Sequence, residues 1–158
     1  MAHISPAPQR FERRVPDIGY GVLDELVGYA LRRAQIALYE DFEAALGPMD
    51  ITSQRFSAMV VIAANPAITQ GTLGRVLGVA RSGVVQVVNG LQARGWATRE
   101  AHGTDARAWL LKLTAEGRTV LVKARRRVHA HDARVSQRLS TTERDQLIAL
   151  LDRLGSKP

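Results

Sequence analysis

Arg81, Ser82, Gln86 and Asn89 fall on one side of the stretch "VARSGVVQVVNGL", which runs from Val79 to Leu91. No general base, thiolate or carboxylate accompanies them, so this set is not equipped to break covalent bonds. Its groups form hydrogen bonds instead: hydroxyl and carboxamide reach base edges, and a guanidinium pairs with phosphate. The rest of the chain adds no phosphate-binding glycine loop, no Gly-x-Ser-x-Gly and no His-Glu-x-x-His. The expectation is a binding protein, not an enzyme, with no cofactor and no metal.

The same stretch must be a helix to present those groups together. Val84, Val87, Val88 and Leu91 lie at i, i+3, i+4 and i+7 and predict a buried stripe. Gly83 and Gly90 oppose a helix, each costing roughly 1 kcal/mol relative to Ala. The outer face combines Ser82, Gly83, Val85, Gln86, Asn89 and Gly90. An ordinary solvated helix carries Glu and Lys, and neither residue occurs between Val79 and Arg99. Against a DNA groove the face makes sense: Val85 can meet a thymine methyl, and the glycines give the backbone clearance.

The elements around it follow from periodicity and punctuation. Residues 1–17 hold Pro6, Pro8 and Pro16 and predict a flexible arm. Apolar residues at helical spacing predict one long helix from Ile18 to Leu46, stopped by Gly47-Pro48. Thr52 caps a second helix ending at Asn65-Pro66, and Thr69 caps a short third one. Gly78 supplies the turn into the fourth. "WATRE" and "RAWLLKL" flank "AHGTD" and predict a β-hairpin. Thr114 opens a helix reaching Leu139, and "STTE" at Ser140–Glu143 is a capping box before the last helix. The fold class is mainly α with a small hairpin, its DNA-reading lobe at 51–113 and helical regions at 18–50 and 114–158. The end helices carry wide apolar stripes that one small core cannot cover, and pairing across a two-fold axis in a homodimer would bury them.

Composition agrees. Among 158 residues there are 22 Lys and Arg against 15 Asp and Glu, a net charge of +7. Six cations (Arg75, Arg81, Arg94, Arg99, Arg107, Lys112) face two carboxylates (Glu100, Asp105) between Thr69 and Leu113. That local excess favours an anionic partner, nucleic acid before membrane. The absence of cysteine excludes disulfides and thiol chemistry. No apolar run is long enough for a signal peptide or a bilayer span, so a cytoplasmic location is expected.

From "TQGTLGRVLGVARSGVVQVVNGLQARGWATREAHGTDARAWLLKLTAEGR" the chain resembles the MarR family of winged helix–turn–helix transcription regulators. The matching features are "LGV-R-S" leading into the fourth helix, "L-ARG" leaving it, Asp105-x-Arg107 in the wing, and "LT-EGR" opening the next helix. The resemblance covers Ile18 to Leu154. It implies a homodimer on a pseudo-palindromic double-stranded operator, usually as a repressor. Carried over, Arg81, Ser82, Gly83 and Gln86 hold recognition-helix positions, Arg107 the wing arginine, and Asp105 its orienting partner. Arg75, Val85, Asn89 and Arg99 complete the expected DNA-facing set. Ala106 stands where the family often has a second wing arginine, and positions 83, 85 and 86 are less charged than usual. More of the affinity should therefore come from the wing and flanking phosphates.

Effector binding is less defined. In proteins similar to this one a ligand site lies between the dimer helices and the DNA lobe. Tyr29, Arg32, Arg33, Tyr39, Phe56 and Met59 can supply an apolar wall and a cation for a carboxylate. Taken singly, Tyr29 and Phe56 read rather as core, and Arg33 as surface. "GYALRRAQIALYEDF" resembles the branch that answers aromatic acids or their coenzyme A thioesters, so an apolar or aromatic anion is the expected effector. His129 and His131 are two apart and point to different sides of a helix, which disfavours a shared metal. "KARRRVHAH" reads as a solvated basic face. The competing reading of the whole chain is a winged-helix protein-interaction module without specific DNA binding.

Overall fold

The computed structural model describes residues 11–101 and 109–154. Residues up to Asp41 form one compact unit and those from Phe42 onward a second. A 3-10 turn at Gly21–Glu25 in the first precedes helix α1, Val27–Leu46, whose residues from Phe42 belong to the second. The expected start at Ile18 is thus nine residues early. Asp17 and Gly21 take left-handed backbone (φ 61° and 54°) and Leu26 is extended, so no helix passes through them. Arg14 closes this lead-in on Asp24 at 2.7 Å, while the Tyr20 hydroxyl accepts the Val15 N–H at 2.9 Å. Val22, Leu26 and Val27 stay exposed.

The second unit holds α2 (Ser53–Ala64), α3 (Gln70–Leu77), α4 (Arg81–Ala93), strands β1 (Ala97–Ala101) and β2 (Trp109–Leu113), then α5 (Ala115–Val135) and α6 (Thr141–Arg153). Each expected cap forms. Thr52, Thr69 and Thr114 accept from the N–H groups of Arg55, Thr72 and Gly117, and Ser140 with Glu143 closes a reciprocal box. Each such cap contributes about 1 kcal/mol and sets where its helix begins. Leu46, Ile51, Met59, Leu73, Leu91 and Leu111 are fully buried and centre the core.

β1 and β2 pair antiparallel, from Ala97 opposite Leu113 to Ala101 opposite Trp109. The hairpin is not free-standing. Leu111 donates its N–H to the Ile68 carbonyl at 3.0 Å, so the segment before α3 serves as a third edge. At the other side Thr114 N–H reaches the Trp96 carbonyl at 3.1 Å, and its hydroxyl reaches Gly95 O at 2.6 Å.

Helix α5 ends at Val135, four residues short of the expected Leu139. Ser136 turns its hydroxyl back onto the Asp132 carbonyl at 2.6 Å and its N–H onto the same oxygen, a local bond that competes with helix continuation. α6 holds no buried residue, and Arg144 ties it to Asp132 of α5 at 2.7 Å. Among the described residues no helix is long and apolar enough to cross a membrane.

Gly117, in the first turn of α5, has a specific reason to lack a side chain. A Cβ there would meet the Trp96 carbonyl group, 2.8 Å from its carbon. Trp96 enters β1, so this contact joins α5 to the root of the hairpin. Gly117→Ala should therefore destabilise the fold by about 3 kcal/mol through backbone overpacking, read as a lower urea midpoint; an unchanged midpoint would show that the junction yields freely.

Candidate nucleic-acid interface

Three residues separate α3 from α4. Gly78 caps α3 in the left-handed region (φ 64°), and Val79 N–H bonds back to Gly74 O at 3.1 Å. A Cβ on buried Gly74 would sit 3.2 Å from Val84 Cγ1, so the bare backbone allows the two helices to approach closely. The α4 stripe is buried as its spacing predicts: Val84, Val87, Val88 and Leu91 are all in the core. What remains outside is Arg81, Ser82, Gln86 and Asn89, all exposed, with Gly83 and Val85 half-buried. Arg75 is exposed on α3.

Helix α4 is preceded by Ala80, which offers no side-chain acceptor, unlike Thr52, Thr69, Thr114 and Ser140 before the other capped helices. The first-turn N–H groups of α4 thus keep the partial positive charge of a helix start. Between α3, α4 and the hairpin lies an open groove of about 1050 Å³, lined in part by Arg75, Arg81, Val85, Gln92, Arg99 and Trp109. Cations and amides on such a concave face suit a polyanion.

Arg99 is unlike the other expected contacts. It lies half-buried on β1, donating from Nε to Gln70 Oε1 at 2.9 Å and from Nη1 to Gln92 Oε1 at 2.6 Å. Neither glutamine stands out in the sequence: Gln70 is 29 positions from Arg99, and Gln92, seven positions away, lies across the turn between α4 and β1. Asp105 and Arg107 lie outside the described residues, as does Ala106.

The glycines of α4 divide. A Cβ on Gly83 would make ordinary contact with Val79 Cβ at 3.4 Å, so the fold itself does not demand glycine there. At Gly90 the neighbour is protein: a Cβ would lie 3.3 Å from Arg55 Nε and 3.8 Å from Arg94 Nη1. Clearance at Gly90 serves two arginine side chains.

Those arginines converge on Asp50, the residue between the loop after α1 and the start of α2. Arg94 bonds its carboxylate from Nε at 2.7 Å and again from Nη2, and Arg55 pairs with it at 3.1 Å. Arg94 also donates to Gly90 O at 2.8 Å and lies over the Trp96 ring. The end of α4 is thus tied to the start of α2.

The expected effector residues divide between the two units. In the first, Arg33 lies 5.0 Å from the centre of the Tyr29 ring and 3.8 Å from Asp24, while Arg32 and Tyr39 are exposed. In the second, Phe56 meets the Phe42 ring at 6.2 Å and Met59 is fully buried in the core. His131 is buried with its ring edge-on to Phe42 at 5.5 Å, whereas His129 is exposed. Of the basic run on α5, Lys123, Arg125 and Arg126 are exposed, and Arg127 donates to Ala45 O at 3.1 Å.

Residues 49–108 match the family model described as MarR family. A putative transcriptional regulatory protein for the hcr operon of Thauera aromatica is 34% identical over 139 residues, spanning 87% of this chain and 84% of that one. The chain belongs to the MarR family. Among solved structures, the transcriptional repressor CouR bound to a 23-mer DNA duplex superposes with a TM-score of 0.84 at 34% identity, over 87% of this chain and 98% of that one. CouR bound to p-coumaroyl-CoA gives 0.81 at 31%, over 90% and 100%. This MarR-family chain therefore has the winged helix–turn–helix fold: α3 and α4 form the helix–turn–helix and β1–β2 the base of the wing.

The Asp50 node gives this lobe a pH dependence. The Arg94 hydrogen bonds, joined by the charges of Arg94 and Arg55, hold the Asp50 carboxyl below its ordinary range. A carboxylate lowered on folding stabilises the fold above its ordinary pKa, and that contribution is lost as pH falls through the lowered value. Asp50→Asn, which keeps a residue tolerant of the left-handed backbone (φ 54°), should lower the urea midpoint at pH 7. Once the pH has fallen below the lowered carboxyl value, the variant and the native protein should converge; an equal gap in acid and at pH 7 would refute the assignment.

Proposed function

We propose that this chain is a dimeric transcriptional repressor that binds a pseudo-palindromic operator and is released by an aromatic anion or its coenzyme A thioester. The observation that carries the DNA half is the outer face of α4. It offers Arg81, Ser82, Gln86 and Asn89 to solvent, holds no carboxylate, and borders a groove flanked by Arg75 and Arg81. Ser82 and Gln86 would read base edges and Val85 a thymine methyl, with Arg75, Arg81 and the α4 N-terminus on phosphates. Arg107, oriented by Asp105, would reach along the backbone from the wing. Similarity to CouR, a repressor solved on DNA, supports the same reading.

Residues 51–113 would be the DNA lobe, and 18–50 with 114–158 the pairing region. Leu147, Ile148, Leu150, Leu151 and Leu154 around α6 and Val22, Leu26 and Val27 near α1 are all 41–65% exposed. A second copy would take these surfaces from water, and two α4 helices would then meet successive major grooves. For the effector, CouR was solved with p-coumaroyl-CoA, and Arg32 or Arg33 would pair with an anion of that class, whereas Met59 is closed off in the core.

A mobility-shift titration on the intergenic DNA beside its own gene tests the DNA half. Two protomers should bind one site, with affinity falling steeply between 50 and 200 mM salt, as expected for several neutralised phosphates. Gln86→Ala should reduce discrimination between operator and scrambled DNA by about 1 kcal/mol while leaving scrambled binding unchanged. Equal, feeble binding to every sequence would favour the interaction-module alternative. Adding p-coumaroyl-CoA to the specific complex should free the DNA, and free p-coumarate in a parallel titration shows whether the thioester is required; a complex indifferent to both refutes this effector class.

A further inference from the structure

Arg99 was expected to touch DNA, but its two described hydrogen bonds are to protein. The guanidinium sits between α3 and α4, with Nε on Gln70 and Nη1 on Gln92. Arginine can only donate, so both amides must turn their carbonyl oxygens toward it. A reversed amide would set donor against donor. The orientation of both glutamines is therefore set by Arg99, and each keeps its NH2 group for other partners. Gln70, Gln92 and Arg99 all line the groove between the helices and the wing.

Arg99 also stands on the strand that anchors the wing. It pairs with Leu111 across the hairpin, and Leu111 N–H bonds to Ile68 O, two residues before Gln70. Backbone and side chain thus tie β1, β2 and the start of α3 together. Gln92, two residues before Arg94 and its bond to Asp50, brings the end of α4 into the same network.

From this geometry we infer that Arg99 is a positioning residue, and that Gln70 and Gln92, with amides turned by it, donate to the DNA phosphates that border the groove. The inference rests on the DNA-binding reading above. Phosphate is the acceptor that fits, because Gln70 opens α3 and the first helix of a helix–turn–helix crosses the backbone. Contacts of this kind raise affinity for all sequences alike and leave the choice of base to the outer face of α4.

The discriminating variant is Arg99→Lys. It keeps the charge, but a single ammonium does not reproduce a planar fork that spans two amides. A phosphate-binding cation survives that change, whereas a positioning fork does not. Arg99→Lys should therefore weaken operator binding about tenfold, with scrambled DNA affected equally and the salt slope unchanged. The double variant Gln70→Leu/Gln92→Leu should show a similar loss, and adding Arg99→Lys to it should have little further effect. Far-ultraviolet circular dichroism and the thermal midpoint of each variant show that it is folded at the assay temperature. Native affinity in Arg99→Lys overturns the inference while leaving the DNA-binding reading intact. Absence of specific binding by the native protein overturns that reading, and this inference with it.

Discussion

Burial of the α4 stripe is the constraint on which the rest of the lobe depends. Val84, Val87, Val88 and Leu91 leave water together, each contributing roughly 1.5–3 kcal/mol against α2, α3 and the hairpin. Four buried positions on one side fix the rotation of the helix about its axis. Once that rotation is fixed, Ser82, Gln86 and Asn89 have only one direction to face. The same packing explains Gly74, where the absent Cβ lets α3 come up against Val84. Contact chemistry on the outside is thus a consequence of shape on the inside.

A rotated helix can still slide or tilt, and polar tethers oppose both. Asp50 holds the end of α4 through Arg94 and the start of α2 through Arg55. Arg99 holds the same end of α4 to β1 and to α3. Thr114 and Gly117 seat the first turn of α5 on the backbone around Trp96. The tethers meet at the exit of the recognition helix, while its N-terminal half carries few partners. That division holds the exit of the helix firmly to the lobe and leaves its N-terminal half open.

The apolar surface left over is concentrated near the two ends of the chain. Leu147, Ile148, Leu150 and Leu151 on α6 and Val22, Leu26 and Val27 before and at α1 are exposed in a single chain. Large exposed apolar patches are unusual on a stable monomer. They are the surfaces on which the proposed pairing rests.

Much of this was legible in the residues themselves. Helix starts at Thr52, Thr69, Thr114 and Ser140, the turn at Gly78 and the buried face of α4 all follow from local chemistry, since caps, left-handed turns and a 3.6-residue period act over a few positions. Apolar spacing continues through Val22 and Leu26 and predicts an earlier start for α1, while the backbone at Asp17 and Gly21 departs from the helix. Tertiary structure decided what lies across a gap in sequence. Gly90 looked like room for a phosphate and is room for Arg55 and Arg94. Arg99, expected to face DNA, makes hydrogen bonds to Gln70 and Gln92. Spacing along a chain says which residues share a face; which distant side chain fills the space beside them depends on how the elements pack.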